Sequence, residues 1–203
     1  MDEKLIRNIT QRVLAEMAGI PLGVSARHVH ICRAHMDVLF GPGSSLTFKK
    51  ALMAGEFAAE ECVTLVGVRA LEKVRILGPF RPATQVEVSR TDARLLGVSP
   101  PLRDSGDLAG SGAITLVGPK GALYLPEGCI VARRHIHMPP ESALALGLQD
   151  RAEVSVRIGG PRSAVLENVP VRVAPGFELQ MHLDTDEANA FDVKTGDLAG
   201  VVV

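Results

Sequence analysis

From Leu22 onward the chain is written in short Val-rich runs separated by Gly and Pro. Residues 63–67, 73–77, 85–88, 113–117, 129–132, 153–158 and 169–173 read as strands, and 201–203 as a closing strand. Short helices fit 34–40, 91–96, 141–146 and 187–191. Many short strands with helices only as punctuation predict small β-barrels. The 203 residues are enough to bury a core without disulfides or other staples.

Residues 2–17 differ. Leu5, Ile6, Ile9, Val13, Leu14 and Met17 form a helical stripe, with Lys4, Arg7, Gln11, Arg12 and Glu16 largely opposite it, and Gly19 and Pro21 stop the pattern. An amphipathic helix of this length is marginal alone, so its apolar face docks on its own domain or in a partner's groove. The body behind it carries an echo. Ser25-Ala-Arg-His-Val-His30 recurs as Ala132-Arg-Arg-His-Ile-His137, Val63-Thr-Leu-Val-Gly67 as Ile114-Thr-Leu-Val-Gly118, and Ser105-Gly-Asp-Leu-Ala-Gly110 as Thr195-Gly-Asp-Leu-Ala-Gly200. The spacings are unequal, so the echo indicates two related halves with a site at their seam rather than a tandem array. The expected division is an N-terminal helix over 1–20, a first barrel half over 21–121 and a second over 122–203, with strands free to exchange between halves.

Composition closes several routes. Lys+Arg 22 against Asp+Glu 23 leaves a net charge of -1, and aromatics are 3% with no Trp, so neither a nucleic-acid surface nor an anionic membrane is an expected partner. Three widely spaced cysteines (Cys32, Cys62, Cys129) make neither a disulfide framework nor a C-x-x-C zinc knuckle. No apolar run approaches a membrane span, and the charged N-terminus is wrong for a secretory signal. The expectation is a soluble, intracellular protein.

The chemistry concentrates in histidine. Four of the six form two H-x-H pairs, His28/His30 and His135/His137. Alternate residues of a strand share a face, about 7 Å apart along it, so each pair can chelate one ion or present its imidazoles to two neighbouring ions. His182 lies in a strand-like stretch, and Glu87 sits between Val86 and Val88, where a buried carboxylate needs a partner or a cation. An imidazole-rich set with too few ligands to close the shell suits catalytic zinc, other divalent transition metals being alternatives. Cys32 could share the face of His30, although an ordinary core or chance cysteine is the simpler reading. His35 reads as a surface residue on a helix without a partner. Glu60 and Glu61 read as a solvated edge, Asp92 as a candidate acid–base group, and Arg75 and Arg81 as candidates to face an anion. No G-x-S-x-G is present, and Gly118-Pro-Lys-Gly121 reads as a turn rather than a phosphate loop.

Pro21-Leu-Gly-Val-Ser-Ala-Arg-His-Val-His30, Phe57-Ala-Ala-Glu-Glu61, Gln85-Val-Glu-Val-Ser-Arg-Thr-Asp-Ala-Arg94, Arg134-His-Ile-His-Met138 and Met181-His-Leu-Asp-Thr-Asp-Glu-Ala-Asn189 together resemble the PduL family of phosphotransacylases. The resemblance implies a mainly β fold of two small related β-barrels capped by short helices. It implies interconversion of short-chain acyl-CoA (propanoyl or acetyl) plus phosphate with acyl phosphate plus CoA. It implies one zinc on His28, His30 and Glu87, open to the CoA sulfur, and a second on His135, His137 and His182. It places Arg81 at phosphate, and Ser25, Lys50, Arg75, Leu77, His182 and Asn189 around CoA. It also makes the N-terminal helix an encapsulation peptide, directed to shell or cargo proteins of a bacterial microcompartment, on a homo-oligomer. Two readings of other classes use the same residues: a metal-dependent thioester hydrolase, and a non-enzymatic module whose zincs only stabilise the fold.

Overall fold

The computed structural model describes residues 19–202. Residues 1–18 of the segment expected as a helix over 1–20, and the last residue of the closing strand, lie outside these; Ile20, at the end of that expected helix, instead opens a strand. Among the described residues the fold is mainly β and divides into two compact units, one of Ala26–Arg133 and one of residues 19–25 together with residues 134–202.

In the Ala26–Arg133 unit, six strands close a barrel: β4 (Phe57–Val66), β5 (Ala70–Gly78), β2 (His28–His30), β6 (Gln85–Glu87), β9 (Ala122–Ala132) and β8 (Gly112–Val117), which returns to β4. Strand β3 (Phe48–Ala51) extends the sheet along β4, and β7 (Leu102–Arg103) runs parallel to β9. The period-2 pattern is plain in β4 and β5: Val63, Leu65, Val74 and Ile76 fill the core, while Thr64 and Arg75 point away. Helix α1 (Arg33–Phe40) buries Met36 and Leu39 on this core. Helix α2 (Arg90–Leu96) starts in a capping box of Ser89 and Asp92 and ends at Gly97 in the left-handed conformation.

The other unit is a second closed barrel of six strands, in the order β1 (Ile20–Ser25), β13 (Gln180–Asp184), β10 (His135–Met138), β12 (Ala164–Val173), β11 (Glu153–Ile158), β14 (Leu198–Val202). Strand β1 precedes the first barrel in sequence yet pairs with β13 and β14. Helices α3 (Pro140–Leu146) and α4 (Thr185–Phe191) follow β10 and β13, with Pro140 opening the first and an Asp184/Glu187 capping box opening the second. This barrel has its own apolar core, including Ile20, Ile136, Val171, Met181 and Val201.

The position 121/122, where the halves were expected to divide, falls in the hairpin joining β8 to β9, and Gly118 and Gly121 close that turn through a 2.9 Å backbone bond. The three echoes also separate. The H-x-H and Gly-Asp-Leu-Ala-Gly stretches have one copy in each unit. The Val-Thr-Leu-Val-Gly copies instead lie on β4 and β8 of one barrel and pair with each other, Leu65 opposite Leu116. That pattern reflects what any two neighbouring barrel strands need, alternate apolar residues and a terminal Gly.

Candidate metal centres

Register builds the first cluster. Strand β2 lies between β5, parallel to it, and β6, antiparallel. His28 is opposite Arg75 on one side and Glu87 on the other, and His30 is opposite Leu77 and Gln85. The intervening row of Val29, Ile76 and Val86 is fully buried in the core, so the histidines and Glu87 project from the other face. The rings of His28 and His30 converge to 5.0 Å between centroids. One potential ligand atom from each of His28, His30 and Glu87 lies within 4.8 Å of the others.

The second barrel repeats the plan. Strand β10 lies between β12, parallel, and β13, antiparallel. His135 is opposite His182 and His137 opposite Arg172, while Ile136, Val171 and Met181 take the core row. The three rings lie 4.6, 5.1 and 4.8 Å apart, and their candidate ligand atoms again fall within 4.8 Å. Phe177 stacks on His137 at 4.2 Å. In both barrels the third member faces the first histidine of the pair across an antiparallel ladder, Glu87 in one and His182 in the other.

The donor set fits a divalent cation. His28 Nδ1 lies 2.9 Å from the Ala26 carbonyl, which can only accept, so Nδ1 carries the proton. In the neutral ring Nε2 is then the lone-pair atom, and it faces Glu87 Oε2 at 3.5 Å. His30 Nε2 lies 3.9 Å from Glu87 Oε1. A tetrahedral zinc site separates its ligand atoms by about 3.3 Å. Electron-rich atoms held at these distances are what a cation between them satisfies. His30 Nδ1 is also buried without a hydrogen-bond partner, Glu56 Oε1 being 4.0 Å away.

Burial, then the neighbouring His28 and Arg81, push His30 down to about 2. Burial, His182 and Arg172 push His137 down to about 4. Both are therefore neutral at pH 7, the form that binds a metal. The unfolded chain takes up these protons near 6.5, and the folded chain only near the depressed values. Between them the unfolded state holds more protons, so stability falls as pH drops below about 6.5. The urea midpoint of the metal-free protein is expected to decline steadily from pH 7 to about pH 4.5; a flat profile contradicts the buried neutral imidazoles.

The remaining candidates sort by unit. Arg81 follows Pro79 by two residues; its Nη2 donates to Glu56 Oε1 at 2.5 Å and its Nη1 to Ser105 Oγ at 3.3 Å. Arg75 donates to the Ala59 carbonyl, and Lys50 lies on the exposed strand β3. Ser25 ends β1 opposite Asp184, and Asn189 is exposed on α4. Cys32 lies beyond β2, at the N-cap of α1, and its thiol is outside both clusters. His35 departs from expectation: it is half-buried, with Nδ1 2.8 Å from Thr84 Oγ1, which also accepts the Cys32 N–H. Asp92 accepts from Arg27 and from the Ser89 N–H, so it caps a helix rather than serving as an acid–base group. Glu60 pairs with Lys49 and Glu61 with Thr47, as a solvated edge does. Glu56, Gln85 and Ser105 are the polar neighbours that the sequence reading missed.

Two β-barrels, each displaying an H-x-H strand and a third donor on one face, define a protein with two candidate metal centres. A family model described as phosphate propanoyltransferase matches residues 21–194. Proteins named phosphate propanoyltransferase are similar over nearly the whole chain. The one from Lachnoclostridium phytofermentans is 50% identical over 98% of this chain and 95% of its own. That from Salmonella typhimurium is 51% identical over 94% and 92%, and that from Thermotoga maritima 48% over 97% and 95%. The chain belongs to the phosphate propanoyltransferase family and is an enzyme of the acyltransferase class. Among the described residues, no helix is long and apolar enough to cross a membrane.

Proposed function

We propose that this enzyme is a two-zinc phosphate acyltransferase acting on a short-chain acyl-CoA, propanoyl-CoA or acetyl-CoA. A phosphate oxygen attacks the thioester carbonyl, the C–S bond breaks, and CoA leaves as thiolate while acyl phosphate forms, without a covalent enzyme intermediate. The observation that carries the reading is the convergence of one candidate ligand atom from each of His28, His30 and Glu87 to within 4.8 Å of the others.

His28, His30 and Glu87 hold one ion, and His135, His137 and His182 the other. Bound there, a divalent ion supplies Lewis acidity, keeping one positive charge beside two imidazoles and a carboxylate, which suits a thiolate, and two beside three imidazoles, which suits phosphate. Arg81 orients phosphate through a guanidinium fork already fixed by Glu56 and Ser105. Ser25, Lys50, Arg75, Leu77, His182 and Asn189 take CoA. The amphipathic stretch over residues 2–17 docks the homo-oligomer to shell or cargo proteins of a microcompartment.

Each barrel owns a full apolar core, which speaks against ions that serve only to hold the fold. The discriminating experiment is thiol release from acetyl-CoA and propanoyl-CoA, with and without phosphate, before and after chelation. The expected result is release that requires phosphate, stops on chelation and returns with Zn²⁺. Release without phosphate makes the enzyme a hydrolase, and parallel double-reciprocal lines contradict direct displacement.

A further inference from the structure

The stretch Ser105-Gly-Asp-Leu-Ala-Gly is repeated from Thr195, and in both barrels it follows the helix that follows the third-donor strand. Thr195 Oγ1 accepts the Val24 backbone N–H at 3.1 Å, an ordinary tie between loop and strand. Ser105 uses its hydroxyl differently. It donates to Glu87 Oε1 at 3.0 Å, and accepts from Gln85 Nε2 at 2.8 Å and from Arg81 Nη1 at 3.3 Å. One donor and two lone pairs are all a hydroxyl has, and all are engaged.

Gln85 completes the arrangement. It is 1% exposed, and its Oε1 accepts the Gly106 N–H at 2.7 Å. That bond sets the amide orientation, so Nε2 faces Glu87 Oε1 at 2.6 Å as well as Ser105. Both side chains therefore bind the same carboxylate oxygen, and the other, Oε2, is the one turned to His28.

We propose that Ser105 and Gln85 are positioning residues: together they orient the Glu87 carboxylate toward the imidazoles, and Ser105 couples that carboxylate to Arg81. The inference rests on reading His28, His30 and Glu87 as metal ligands. Partners that orient a ligating carboxylate typically contribute about 10–100-fold to metal affinity.

The test is Zn²⁺ affinity by chelator competition on the full chain carrying His137→Ala, so that one cluster is read alone, with the Co²⁺ absorption spectrum reporting geometry. Ser105→Ala is expected to weaken Zn²⁺ about 10–100-fold and to alter the Co²⁺ bands. Ser105→Thr, which keeps the hydroxyl, restores affinity to within about threefold. Gln85→Met, which removes all three side-chain bonds at similar volume, moves affinity the same way and carries the test if Ser105→Ala does not fold. Zn²⁺ affinity unchanged in both Ser105→Ala and Gln85→Met overturns the proposal, including when only the melting temperature of the metal-free chain has dropped. His28→Ala is the control. If it retains the same Zn²⁺ equivalent, the ligand set itself is wrong and the inference falls with it; if it loses the equivalent while both Ser105→Ala and Gln85→Met keep full affinity, only the inference fails.

Discussion

Alanine at His135 is expected to abolish turnover and remove one metal equivalent in the same protein. His135 is opposite His182 across the β10–β13 ladder, and its ring lies 4.6 Å from that of His137. Two imidazoles remain after the substitution, fewer than the three protein ligands a catalytic zinc ordinarily keeps. An ion held there would supply several kcal/mol of charge stabilisation, so its loss is expected to cost on the order of 10³-fold in kcat. The barrel itself should survive, because the core row is Ile136, Val171 and Met181, on the face away from the ring. Circular dichroism and the melting temperature of the metal-free chain are expected to match the parent. His28→Ala should do the same to the other equivalent. Activity within tenfold of the parent, or a full metal load, removes the proposed role. Metal loss accompanied by unfolding would instead favour ions that only stabilise the fold.

Much of this architecture is legible in the chain before any coordinates. Strands such as Glu153–Ile158 announce themselves because β-branched residues alternate between Gly- and Pro-containing turns. The H-x-H pairs yield a shared face from the period of a strand alone, and the buried valines flanking Glu87 put its half-buried carboxylate on the face away from the core. Strand β3 is harder, since Phe48, Lys49, Lys50 and Ala51 are all exposed and carry no buried alternation. The third member of each cluster depends on register: that His28 meets Glu87 and His135 meets His182 follows from which strands are neighbours, a property of the whole barrel. His35 fails for a related reason. Its helix is readable, but Thr84, the hydroxyl that meets it, arrives from 49 positions away. Glu56 and Ser105 likewise reach Arg81 from 25 and 24 positions away, on loops with no periodicity to betray them.

Replacing Arg81 with alanine should act on phosphate and spare acyl-CoA. The guanidinium is held on two sides, by Glu56 Oε1 at 2.5 Å and Ser105 Oγ at 3.3 Å, so its orientation is set before any anion arrives. A charge-assisted hydrogen bond contributes about 1.5–3 kcal/mol, and a fork can make two. The expected result is a fall in kcat/KM for phosphate of roughly 10²–10³-fold, with KM for propanoyl-CoA within about threefold of the parent. Arg81→Lys keeps the charge and loses the fork, so it should recover only part of the loss. One complication is physical: without Arg81 the Glu56 carboxylate loses its guanidinium partner and repels phosphate by itself. The double variant Glu56→Gln/Arg81→Ala separates the two effects. If guanidinium contact is the cause, the double variant remains at least about tenfold impaired for phosphate. If it returns to the parent value, Arg81 merely neutralises Glu56, and phosphate must be held by other groups.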